Sequence, residues 1–418
     1  MLATFLIAGA VWALPSAPAL AASKVVITGG GWGHGLGLSQ WGTYERARQG
    51  HNASRILRHY YTGTTVAETK LPATVRVGLL QAQTEIAFSS TPASPGGGKV
   101  TFAVRGSKPF VSGSSGTAWR VQPAPAGAVF LFKNNKPVSI NGDKTLGGKN
   151  PVVVSYEPHG TLLRVVDEAN SYRYGTMILD SYSGACLAGS CLRLVSEVPI
   201  EDYVLGIAEV APYWPKEALR TQAIIARTYA SHKINTTGQK RQSCACAVYD
   251  SSYDQVYIGD DRRVDSGAYW KDWKRAVRST AGTAVLYNGS PILALYMSSS
   301  GGHTENNEDV WGGTPLPYLR GVPDAQDATS ANVNHSWRVE MSWEVFSSKL
   351  SAYFGTGTLQ SFKLKNPFGV SGRVTVVKSE SEGGVRIVGS ARTVRASGSQ
   401  VKSALGLKDT LFRVDIVD

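Results

Sequence analysis

The chain has 418 residues, 42% of them hydrophobic and 18% charged, which excludes a disordered protein and provides for one large or two to three ordinary domains. A net charge of +12 would suit nucleic acid, an anionic membrane or an acidic polymer. The basic residues are scattered, however, and no helix-turn-helix, zinc-finger or RNA-recognition signature occurs, which argues against a nucleic-acid partner.

Residues 1–21, MLATFLIAGAVWALPSAPALA, form an apolar run ending in Ala19-Leu20-Ala21, the small-x-small pattern of a signal-peptidase site. They predict export, with a mature chain that starts near Ala22. Pro15 and Pro18 make the run short for a membrane span, and no later stretch is long enough for one. No positive charge precedes it, which reads as a truncated or misassigned start; an uncleaved anchor or a buried N-terminal strand is the alternative.

Residues 22–65 hold a glycine-dense loop, ITGGGWGHGLGLSQWG, then a helix opened by Asn52. Ala53, Ile56, Leu57 and Tyr60 recur at helical spacing on one face, and Gly63 ends the element. Residues 66–194 read as a β-rich module in which VRVGLL, KVTFAV, AVFLF, PVVVSY and TLLRVV alternate with turn-rich STPASPGGGK, KNNK and NGDK. In residues 195–330 the period turns helical from Val198 to about Ile234, with Pro199 and Pro215 at the starts of two predicted helices. Strand-like TAVLYNG and PILALYMSSS follow, then the loop SGGHTENNEDVWGG. Residues 331–418 are mixed and end in β-like LFRVDIV, so the class is α+β, with mixed sheets and a few helices around a cleft.

The stretch VPIEDYVLGIAEVAPYWPKEALRTQAIIARTYA carries most of the chemistry. Pro215 to Ala230 predicts one largely buried helix, in which Gln222 and Arg227 must be paired or face a polar cleft. Glu209 lies in the preceding loop among Ile207, Ala208, Val210 and Ala211. Such an apolar setting should raise its pKa and keep it protonated, as a general acid requires. The competing reading pairs Glu209 with Arg227 or another cation. Glu201 and Glu217 fit helix starts, and Asp202 and Asp254 are the fallback acids.

His34, between glycines, could orient a ligand or hold a tight loop, and Ser39 and Gln40 share that ambiguity. Ser299, Ser300, His303 and Thr304 sit on a loop at a strand end, where ligand contacts gather; a polar turn is the plain alternative. A Ser-His-acid hydrolase lacks its Gly-x-Ser-x-Gly elbow, and the glycine loop fits neither nucleotide fingerprint. Of the four cysteines, Cys186 and Cys191 suggest a local disulfide, while the Cys244-Ala-Cys246 spacing is tight for a bridge between its own members.

Taken together, GGGWGHGLGLSQWG, HYYTGT, EDYVLGIAEVAPYWPKEALRTQAIIARTYA, DQVYIG, SSSGGHTENNEDVWG, PYLRGV and ALGLKDTLF resemble the SpoIID/LytB family over nearly the whole mature chain. The resemblance implies a peptidoglycan lytic transglycosylase whose catalytic acid stands eight residues before Glu217, at Glu209. It also places the SSSGGHT motif, with Ser300, His303 and Thr304, along the cleft. Gln222 and Arg227 would position Glu209 or a muramoyl carboxylate, and Trp32 and Tyr257 would stack on sugars. This chain departs from the family pattern with Glu209-Val210-Ala211 in place of Glu-Met-Pro, and with the GWGHG motif ahead of the catalytic segment. No cofactor is expected, though a zinc ion, which some relatives carry, would find ligand types in His232, Cys244 and Cys246. The rival reading is a wall-binding protein that activates a separate amidase.

Overall fold

The computed structural model describes residues 24–157 and 160–417; the predicted leader, residues 1–21, lies outside them. Strict alternation of buried and half-buried side chains, as in Trp119–Pro123 and Val152–Tyr156, gives strands with one face on a core. Two seven-stranded sheets result. One runs from Val111–Gly113 through Val100–Val104, Val152–Tyr156, Thr176–Leu187 and Ser190–Pro199 to Thr74–Gln83, antiparallel throughout, with Val248–Tyr249 added in parallel at the edge. The other is built around Trp119–Pro123, Ile86–Pro92 and Ala128–Lys133. The α+β class read from the sequence holds.

Helices α1 (Gln40–Arg48) and α2 (Ala53–Tyr60) start on side-chain caps: Ser39 Oγ accepts the Gly42 N–H at 3.0 Å and Asn52 Oδ1 accepts the Arg55 N–H at 2.8 Å. The predicted face of α2, Ala53, Ile56, Leu57 and Tyr60, is buried. Next come α3 (Ile200–Leu205) and α4 (Lys216–Thr237), each preceded by its proline. α4 extends beyond Ala230 to Thr237, where Gly238 at φ 75° ends it. From Leu219 to Ser231 only Arg220 of α4 is not buried, and Thr221, Thr228 and Ser231 satisfy their hydroxyls on carbonyls four residues back. α6 (Trp270–Arg278) packs beside it, and α5 (Asp261–Ser266) packs on α6.

The apolar run after Pro291 is mostly not a strand. Only Tyr296–Met297 pairs, in parallel with Leu38–Ser39, while the Leu295 carbonyl accepts from Leu38 N–H and from the Tyr61 hydroxyl. That short pairing, with bridges from Trp32 to Ser299 and from Leu36 to Glu305, lays the glycine-rich loop against the serine-rich one.

A second core gathers Val25, Ile27, Phe346, Leu350, Val385, Ile387, Val401 and Phe412. Strand Lys24–Gly30 lies between Ser336–Ser342 and Phe412–Val417, covered by α8 (Trp343–Phe354) and α9 (Gly398–Leu405), so the start of the described chain is built into the C-terminal part; α7 (Asn307–Trp311) belongs to the loop side. Buried Arg373 joins this part to the loops. Its Nε and Nη2 donate to Asp409 at 2.7 and 3.2 Å, Nη2 also to the Ser300 carbonyl, and Nη1 to the His303 carbonyl and Ser371 Oγ. Gly35, at φ 88°, lies so close that a Cβ there would overlap the guanidinium. The glycines expected to let backbone approach a ligand therefore let it approach the protein itself.

Cys186 and Cys191 form the expected bridge, in the hairpin formed by Thr176–Leu187 and Ser190–Pro199. Cys244 and Cys246, the pair whose spacing is tight for a bridge, are also bonded to each other, with Cα atoms 5.1 Å apart. The backbone makes room because Ala245 takes a left-handed φ of 51°.

Arg373→Met leaves the Asp409 carboxylate, which has no exposure, without its partner. It is expected to lower stability by about 3–5 kcal/mol in urea denaturation.

Candidate active site

Glu209 is placed by backbone geometry. The segments 206–208 and 256–258 form a short antiparallel bridge, with the Ala208 N–H donating to the Val256 carbonyl and the Ile258 N–H to the Gly206 carbonyl, both at 3.0 Å. The next donor of that ladder, the Val256 N–H, is taken by Glu209 Oε1 at 2.6 Å. Two further side chains pin the loop by its carbonyls: Gln40 Nε2 donates to Glu209 O at 3.2 Å, and Arg262 Nη2 to Val210 O at 2.8 Å. The Tyr296 hydroxyl lies beside the carboxyl on the same cleft and is its second neutral polar neighbour. Burial raises the Glu209 pKa, while the Val256 N–H and Tyr296 pull the other way; the net direction is up.

The carboxyl opens onto a cleft of about 760 Å³. One wall is Trp32, Gly33 and His34 of the glycine-rich loop with Trp311 of α7; the other includes Tyr229 and residues 252–254, and Leu295 to Ser298 also line it. Trp32 and Trp311 are each 52% exposed and Tyr253 is 74% exposed, so the lips are aromatic. His34 Nδ1 accepts the Leu36 N–H at 3.0 Å, which puts the ring proton on Nε2, bonded to the Tyr296 carbonyl. Burial, then the charges of Lys402 and Arg373, push its pKa down to about 4, so it is neutral at pH 7.

Asp254 lines the same cleft in the opposite state. Burial alone would raise its pKa, but the Tyr229 hydroxyl, the Tyr249 N–H, Arg241 and Lys233 outweigh it and lower the pKa. Its oxygens are occupied as an anion. The other fallback acid, Asp202, lies on α3 and its charge acts on Tyr257 and Tyr174.

Most of the other residues read as cleft contacts lie elsewhere. Arg227 has no exposure: it forms a double hydrogen bond with Glu201 at 2.8 and 2.6 Å and donates to the carbonyls of Ala223, Val277 and Thr283. Its carboxylate partner is Glu201, not Glu209. Gln222 accepts from Gln40 at 3.4 Å and so stands one contact behind Glu209. Tyr257 is buried and stacked on Tyr203 at 5.2 Å, and Tyr253 supplies the exposed ring instead. Ser39 caps α1 and donates to Asp327 at 2.7 Å. Ser300 donates to Asp324, Thr304 accepts the Val322 N–H, and His303 Nδ1 meets the Thr304 carbonyl. These polar residues hold the loops together because buried hydroxyls and N–H groups need partners.

The zinc alternative does not fit the residues present. Cys244 and Cys246 are joined to each other, and His232 Nδ1 bonds the Pro291 carbonyl. Among the described residues no group of three His, Cys, Asp or Glu could hold a metal ion. No helix there is long and apolar enough to cross a membrane.

The residues missed by sequence reasoning are Tyr296, Trp311 and the buried carboxylates Asp324 and Asp327. Asp327 alone accepts from Ser39, Ser299, Ser300 N–H, Gly301 N–H and His335. Glu201→Ala, which strands the Arg227 guanidinium, is expected to cost about 3–5 kcal/mol in thermal or urea unfolding, as a structural ion pair would.

Residues 188–287 match the family model SpoIID, Stage II sporulation protein. The chain is 32% identical over 143 residues to Stage II sporulation protein D of Bacillus subtilis, covering 32% of this chain and 41% of that protein. A protein of Brachyspira hyodysenteriae without an assigned function is 33% identical over 153 residues, 36% of this chain and 37% of its own length. The Amidase enhancer of Bacillus subtilis is 37% identical over 120 residues, 28% of this chain and 14% of that protein. The chain thus spans about two fifths or less of these relatives. Glu209 and the helix behind it fall within the matched segment, and it is through that segment that the chain is similar to the SpoIID family.

Proposed function

We propose that this protein is an extracytoplasmic lytic transglycosylase that cuts peptidoglycan glycan strands between N-acetylmuramoyl and N-acetylglucosaminyl units, with Glu209 as its single acid and base. The observation that carries this reading is the half-buried Glu209 carboxyl, raised in pKa and opening onto an aromatic-lipped cleft whose other carboxylate, Asp254, is engaged by two cations. Protonated Glu209 gives its proton to the glycosidic oxygen as the bond to C1 breaks. The resulting carboxylate then takes the proton from the sugar's C6 hydroxyl as O6 closes on C1, which leaves a 1,6-anhydro ring and restores the acid. No water and no second free carboxylate is required, unlike in most glycosidases. Trp32, Trp311 and Tyr253 offer flat faces for sugar rings, and the net positive charge suits an anionic wall.

A second reading rests on the likeness to the protein named Amidase enhancer: a wall-binding protein that uses the same cleft to stimulate an N-acetylmuramoyl-L-alanine amidase without cutting glycan itself. Product analysis separates the two. Glu209→Gln keeps shape but cannot donate or retrieve a proton, so release of anhydro-muropeptides is expected to fall by about 10²–10⁴ or more while wall binding persists. Wild-type activity should decline as pH rises through the elevated Glu209 pKa, because the first step needs the protonated form. If neither protein releases product and both stimulate an amidase, the second reading stands.

A further inference from the structure

Behind Glu209 runs a chain of buried hydrogen bonds that the proton cycle alone does not account for. The Tyr203 hydroxyl donates to Gln255 Oε1 at 2.9 Å, and Gln255 Nε2 donates to the Tyr296 oxygen at 3.0 Å. Gln255 has no exposure, so its amide is held in one orientation by Tyr203. With its oxygen occupied as an acceptor, Tyr296 has its own proton free to give, and the Glu209 carboxyl stands beside it on the cleft. From the other end, neutral His34 holds the Tyr296 carbonyl.

We propose that Tyr296 is a positioning residue for Glu209: its hydroxyl, aimed by Gln255 and Tyr203, donates to the carboxyl and steadies the anion left when the proton has gone to the leaving group. The proposal rests on Glu209 being the acid. The titratable groups around the pair leave that role to a hydrogen-bond donor. The phenols of Tyr203, Tyr229 and Tyr296 are kept neutral by burial, His34 is uncharged, and Asp254 is an anion balanced by Lys233 and Arg241. Among the described residues no cation is paired with Glu209.

The test is direct titration of the Glu209 carboxyl by carbon-13 NMR in glutamate-labelled protein, with Glu209→Gln assigning the resonance. Tyr296→Phe is expected to move the titration up by about one to two pH units. Fluorotyrosine at position 296, a stronger donor of nearly the same shape, is expected to move it down. In anhydro-muropeptide release, the alkaline limb should follow the titration, with kcat falling about tenfold and KM little changed. A residue that merely packs would lower the unfolding temperature and leave titration and limb in place; an unmoved titration in both variants overturns the proposal. If the wild type releases no anhydro product, it is the transglycosylase reading that fails, and the carboxyl titration still decides the role of Tyr296.

Discussion

A guanidinium has five N–H donors and, once fully buried, must find an acceptor for each. Arg373 does so on three segments that are far apart in sequence: Asp409 from the C-terminal part, the carbonyls of Ser300 and His303 from the serine-rich loop, and Ser371 from its own loop. The glycine-rich loop closes over it at Gly35, where no side chain fits. Both cleft-forming loops thus depend on one charge that belongs to neither. This explains why a C-terminal region with its own apolar core is tied to the cleft: it supplies Arg373 and Asp409.

Carboxylates complete the same scaffold. Loops that turn tightly expose backbone N–H groups that no strand partner can satisfy, and a buried carboxylate with several acceptor sites satisfies more than one. Glu305 takes the N–H groups of Asn306, Val370 and Ser371 together with the Ser371 hydroxyl. Asp327 takes those of Ser300 and Gly301. Asp324 ties Tyr60 of α2 and Arg46 of α1 to Ser300. The polar residues of the SSSGGHT motif are therefore concentrated beneath the cleft, where they fix its walls.

What was legible in the sequence follows from this division. Periodicity found α2 and α4 because apolar side chains at helical spacing need only a local pattern to be recognised. It also found the strands of the β-rich module, whose faces alternate. It overextended the strand after Pro291, because only Tyr296–Met297 finds a strand partner, Leu38–Ser39 from far away in sequence, while the Leu295 carbonyl takes the Leu38 N–H and the Tyr61 hydroxyl. Glu209 could be singled out from its apolar neighbours, and its raised pKa agrees with that reading. The roles of Ser39, Ser300, Thr304 and Arg227 could not be read, because their partners, Asp327, Asp324, Val322 and Glu201, lie 18 to 288 residues away. A polar side chain in a glycine-rich motif looks the same whether it faces a ligand or a buried carboxylate.

The cleft itself shows how one fold keeps two carboxyl groups in opposite states. Asp254 meets two cations and two neutral donors, which favour its charge more than burial opposes it. Glu209 meets the Val256 N–H, the neutral Tyr296 phenol and, among the described residues, no cation, so burial prevails. A group proposed first to lose a proton and then to recover one is poorly served by either extreme. Held by a cation it would be too weak a base, and buried without donors it would be too weak an acid. The backbone N–H of Val256 is fixed by the bridge between segments 206–208 and 256–258, and cannot be altered by a side-chain change. The phenol of Tyr296 is the adjustable donor, and its aim is set two residues further back, by Gln255 and Tyr203. In the proposed arrangement burial sets the direction of the Glu209 pKa and the orientation of a buried amide tunes it.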